Sequence, residues 1–216
     1  MKKFKTISEI IDHYLKNGYR HQQLELGLYS IDDTPGLVSG YTPCVNRKGK
    51  LTRIWCCGDN YNIIDASNLV HPAPWPHPHQ WWMSRKVEYR RKASMRIQER
   101  GVLTKSFSNF EELYDYLRNE VKITRGKLYC YDLARRIGYC RGINPAKFVY
   151  LHEGAEKGAK TLEEMGFLSL PKNWEIRVPA EIFDPVFPNI PPIDIENILC
   201  IYDKVFKTIE KPFITK

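Results

Sequence analysis

The chain has no uninterrupted apolar stretch of the length needed to cross a bilayer. Its basic start, Met1-Lys-Lys-Phe-Lys-Thr-Ile-Ser-Glu-Ile10, is not followed by the apolar run of a secretory leader. No Cys-x-x-Cys pair occurs among the six cysteines at 44, 56, 57, 130, 140 and 200, and the adjacent Cys56 and Cys57 are poorly placed to bridge each other. These absences argue against a membrane protein and against a disulfide-stapled secreted domain. The expectation is a cytoplasmic protein with reduced thiols and no membrane partner. There is no internal repeat, no complete phosphate-loop signature and no full set of metal-ligand spacings. No cofactor is therefore expected. The segment Ser84–Lys105 is short of acid: two carboxylates (Glu88, Glu99) stand against eight basic residues, a surplus of six in a protein of net charge +8.

What is present fits a folded domain. With 216 residues and 43% hydrophobic content, the chain can fill a core. Aromatic residues make up 12% of it, which argues against disorder. Its length suits a single domain over 1–216, with a composition break near Leu69–Gln80 separating two subdomains, 1–70 and 80–216.

Thr6-Ile-Ser-Glu9 reads as a capping box, with Ile7, Ile10, Ile11, Tyr14 and Leu15 at helical spacing and Gly18 as the expected stop. Leu37–Val45, Leu51–Cys57 and Tyr61–Asp65 read as strands of an antiparallel meander. His71–His79 alternates proline with other residues, which favours extended backbone. A basic helix is expected over 84–100, ended by Gly101. Ser108-Asn-Phe-Glu111 reads as a second capping box, followed by the stripe Phe110, Leu113, Tyr114, Leu117 and Val121. A helix is expected over 128–141. Residues 144–166 read either as helix–turn–helix or as strand–turn–helix. Six prolines impose an irregular path from 171 to 192, and a last helix from Asp194 carries the stripe Ile195, Ile198, Leu199, Tyr202, Val205, Phe206 and Ile209. The fold expected is α+β: a small antiparallel sheet in the N-terminal half, with a helical C-terminal half packed on it.

The strongest functional signal is the cationic segment beside Trp75, Trp81 and Trp82. Charge of one sign next to aromatic faces suits a polyanion whose bases stack, which is nucleic acid, DNA or RNA. Arg85, Tyr89, Lys92, Arg96 and Arg100 share one helix face and are the expected contacts, with Trp81 and Trp82 stacking or anchoring. The bland alternative makes the tryptophans core anchors and the charges a solvated face; such a face normally mixes signs. Gly154 and Lys157, at a turn opening a helix, are expected to add a phosphate contact. A competing reading is an enzyme on a phosphate-bearing substrate, with His152 as general base among Glu153, Asp132, Arg135 and Lys157. A third is a protein-interaction module built on the Pro-aromatic segment. His71, His77 and His79 with Cys56 and Cys57 lack a complete zinc pattern, so no metal is expected.

Tyr131-Asp-Leu-Ala-Arg-Arg-Ile-Gly138, Val149-Tyr-Leu-His-Glu-Gly-Ala155, Gly158-Ala159 and Ile198-Leu-Cys-Ile-Tyr202 resemble a family of uncharacterised proteins from bacteria and mobile elements over residues 130–202. The resemblance implies a shared fold there and no known activity. Residues 144–166 also resemble a helix-hairpin-helix DNA-binding element. There the usual glycines stand two apart, whereas Gly154 and Gly158 are four apart.

Overall fold

The structure, a computed structural model, describes residues 4–26, 87–102, 104–123, 127–139 and 141–210. The expected meander over 37–65, the Pro-rich stretch and its histidines, Cys56, Cys57, Trp81, Trp82 and Arg85 lie outside the described residues. Within them the chain is α+β, with six α-helices and a two-stranded antiparallel sheet. The fold divides into two compact units, one of residues 1–19 and 145–216, the other of residues 20–144.

Helix α1 (Ile7–Leu26) opens at the expected Thr6 cap, with Glu9 reaching one residue further back than a capping box would. The Thr6 hydroxyl accepts from Glu9 N at 3.2 Å, and the Glu9 carboxylate accepts from Lys5 N at 2.7 Å. The helix passes through Gly18, where the sequence suggested a stop. A single helical glycine costs only about 1 kcal/mol, and good helix formers (Gln22, Gln23, Leu24, Glu25) follow it.

In the first unit, strand β1 (Phe148–Tyr150) pairs antiparallel with β2 (Arg177–Pro179), Val149 opposite Val178. Leu151 N donating to Ile176 O and Ala180 N donating to Lys147 O continue the ladder at its two ends. With this pairing, residues 144–166 take the strand–turn–helix form, one of the two that the sequence left open. The aromatic and β-branched run Phe-Val-Tyr finds a partner almost thirty residues downstream, and the first helix of the helix–turn–helix alternative is not formed. The second unit supplies α2 (Val87–Glu99), α3 (Phe110–Asn119) and α4 (Lys127–Tyr139), and the first unit continues with α5 (Gly154–Glu164) and α6 (Pro192–Ile201).

Helices α5 and α6 meet at backbone distance. A Cβ on Gly158 would overlap the Leu199 carbonyl, and one on Gly154 would fall 2.6 Å from Cys200 Sγ. The core beneath them holds Val149, Leu151, Ala159, Leu162, Ile198 and Phe206, and Ile10 and Tyr14 of α1 join it. Polar ties reinforce the α1–α6 contact: Tyr14 OH donates to Asp194 Oδ1 at 2.7 Å, and Asn197 Nδ2 donates to Tyr14 OH at 3.1 Å. The last helix ends at Ile201, short of the expected Ile209. Asp203 Oδ1 accepts from Lys204 N at 2.6 Å, a local bond that competes with helical pairing. The stripe stays buried through Val205, Phe206 and Ile209, carried by a 3-10 turn over Phe206–Thr208.

In the second unit, α2 closes at Gly101 (φ +61°), where Val102 N reaches back to Ile97 O and Gly101 N to Gln98 O. Helix α3 buries Phe110, Leu113, Tyr114 and Leu117, as its stripe predicts. Its cap sits one residue later than expected: Asn109 Oδ1 accepts from Glu112 N at 2.9 Å, and Glu112 accepts from Ser108 N. Helix α4 is buried without interruption from Tyr129 to Gly138. That is the signature of a central helix rather than an amphipathic one.

Candidate functional site

The sequence places a cationic face on α2, and its described part stands out from the helix. Lys92, Arg96 and Arg100 follow one another at four-residue steps and are all exposed, while Ala93 and Ile97 on the other side are buried. Arg96 Nη1 donates to Lys122 O at 3.0 Å, a neutral acceptor that holds the guanidinium and leaves its charge uncompensated. Neither Arg96 nor Arg100 meets a carboxylate among the described residues. Tyr89, assigned to the same face, is half-buried and packs edge-on against Tyr129 with ring centroids 5.7 Å apart.

Three-dimensional proximity adds cations that periodicity does not reveal. Tyr116 OH donates to Arg100 O at 2.8 Å, and its ring lies 5.0 Å from Lys105 Nζ. Arg141 donates to Lys105 O at 2.9 Å and to Val102 O at 2.7 Å, with its guanidinium 5.5 Å from the Phe107 ring. The turn after α2 thus gathers Arg100, Lys105 and Arg141 around two aromatic rings. Arg141 is absent from the expected contacts because its link to the turn runs across almost forty residues. Its one sequence signal is the position next to a helix-ending glycine, where a basic side chain reaches spare carbonyls.

The residues of the enzyme reading divide between the two units. Asp132 and Arg135 belong to the second. Asp132 is buried 3.9 Å from Arg136, one turn along α4, and Arg135 lies 5.9 Å from the Tyr131 ring centroid. His152, Glu153 and Lys157 belong to the first, at the junction of β1 and α5. His152 is 1% exposed, and its Nε2 lies 3.6 Å from Glu196 Oε1, itself 2% exposed. Glu153 and Lys157 are exposed instead, so the three do not share one surface. Glu153 has φ +40° and ψ −98°, a conformation that L-residues seldom adopt. It reverses the chain between the inward His152 and the start of α5. Glu196 is the residue that sequence reading missed. It sits in an apolar helix 44 positions from its partner, and its only mark is a carboxylate in a buried stripe.

At the start of α5, Ala155 N donates to His152 O at 3.0 Å and Lys157 N to Glu153 O at 3.2 Å. The missing Cβ of Gly154 is accounted for by Cys200. Cys130 on α4 is fully buried, and burial pushes its thiol from 9.0 to about 12, against a smaller opposing pull from Arg118. It is a packing residue, not a nucleophile. Among the described residues no helix is long and apolar enough to cross a membrane. No protein family, curated protein or solved structure matches this chain.

Proposed function

We propose that the protein binds nucleic acid through the cationic face of α2, acting in the cytoplasm with its thiols reduced. The observation that carries this reading is the alignment of Lys92, Arg96 and Arg100 on one exposed side of a helix. Lys and Arg of this kind contact phosphates and supply affinity that ignores sequence. Arg100, Lys105 and Arg141 extend the positive surface around the following turn. In this reading Trp81, Trp82 and Arg85, which precede α2 in the chain, provide stacking and a further phosphate contact.

Binding of this type weakens steeply as salt rises, because counterions released from the strand are no longer a large entropic gain. The test is a fluorescence-anisotropy titration of a single-stranded oligonucleotide of mixed sequence at several salt concentrations. The Lys92→Ala, Arg96→Ala, Arg100→Ala triple variant is expected to bind more weakly at every salt concentration. Its log–log salt slope should fall by about two, at roughly 0.7 per phosphate contact on a single strand. A folded triple variant with unchanged affinity and slope removes this face from the function.

A further inference from the structure

A groove of about 330 Å³ opens in the first unit between α5 and the chain that follows α6. Lys157, Lys160, Thr161 and Glu164 form one wall, at the three- and four-residue steps that put them on one side of α5. Asp203, Lys204 and Lys207 form the other. The walls are close because α5 and α6 are close: Gly158 seated on the Leu199 carbonyl brings the end of α6, and the turn beyond it, alongside α5.

Four lysines line the groove against two carboxylates, Glu164 and Asp203, so positive charge is in surplus. Lys160 is paired with Glu156 at 2.6 Å and lies 5.8 Å from the Trp174 ring centroid. Asp203 accepts from its neighbour's backbone amide. Lys157, Lys204 and Lys207 are exposed and meet no carboxylate among the described residues. An anion entering the groove meets more ammonium groups than carboxylates, so its charge is met by a net attraction. Among its described lining residues there is no arginine and no aromatic ring. Such a site reads negative charge and not base identity.

We infer that this lysine groove is a second contact for phosphodiester backbone, separate from the α2 face. Its ligand rests on the nucleic-acid reading above; its existence as an anion site rests on the groove alone. The groove accounts for Lys157, which the sequence singled out, and recruits Lys204 and Lys207, which it did not. It also moves the expected phosphate contact from the backbone turn at Gly154 to side chains along the body of α5.

Two measurements test it on the full chain. In the first, the intact protein is acetylated with and without the single-stranded oligonucleotide and mapped by mass spectrometry. Lys157, Lys204 and Lys207 are expected to be protected, and exposed Lys172, outside the groove, is not. In the second, the Lys157→Gln, Lys204→Gln, Lys207→Gln variant is titrated as for the α2 variant. Its salt slope is expected to fall by about two, at roughly 0.7 per contact. Unprotected groove lysines, or an unchanged slope in a folded variant, overturn the inference while leaving an α2 effect standing. If only the groove variant loses binding, the α2 reading fails and this one survives. Protection by phosphatidylserine vesicles but not by the oligonucleotide also overturns it, since the anion is then a lipid headgroup.

Discussion

His152 and Glu196 face each other where almost no water reaches. Removing one partner of such a pair strands the other's polar group in the core, at a cost of about 1–3 kcal/mol. The His152→Ala variant is therefore expected to unfold at much lower urea concentration than the parent. Replacing exposed Glu153 by Gln should leave the midpoint nearly unchanged. A His152→Ala midpoint equal to the parent's would show that the pair contributes nothing to stability. Cys130 makes a second point at this scale. With its thiol near 12, it stays protonated and is expected to resist iodoacetamide at pH 8 until the protein unfolds, as read by peptide mapping. The native state keeps a proton that the unfolded chain sheds from the ordinary thiol value of 9.0 upward. This contribution to stability is therefore complete below pH 9 and declines as pH rises from 9 toward 12.

Between elements, the closest contact is that of α5 with α6. Gly158→Ala places a methyl group into the Leu199 carbonyl, a backbone atom that cannot swing aside. The helices must separate, and the expected loss is about 1–3 kcal/mol, typical of overpacking, seen as a lower thermal midpoint in circular dichroism. The same substitution on an exposed helix would be stabilising by up to about 1 kcal/mol, so the sign of the change tests the contact. Elements governed by neighbours in sequence were legible beforehand: the Thr6 cap, the α3 stripe and the Gly101 stop all form as read. The α3 cap was displaced by one residue because Ser108 and Asn109 are both capable caps, and only geometry chooses between them. Elements governed by distant partners were not legible. Phe148–Tyr150 became a strand because Arg177–Pro179 pairs with it. His152 turned inward because Glu196 lies there, and Lys204 and Lys207 joined Lys157 because two helices touch.

At the scale of the whole molecule, the positive charge that the sequence concentrates in one segment is only part of the cationic surface. The second unit adds Arg141 to the turn after α2, and the first unit carries its own lysines between α5 and the final 3-10 turn. If both surfaces engage a strand, the two triple variants should reduce the salt slope by similar amounts, each independently of the other. The division of the chain has a further effect, on how the protein is made. Residues 20–144 form one unit, whereas the other is assembled from 1–19 and 145–216. Phe4, Ile7, Ile10 and Tyr14 belong to a core whose other described buried members are translated after residue 145. At about 5–20 residues per second, those apolar side chains leave the ribosome several seconds before their packing partners exist. The nascent chain therefore displays these side chains before the core that buries them in the folded state exists, a stage at which a chaperone has something to hold.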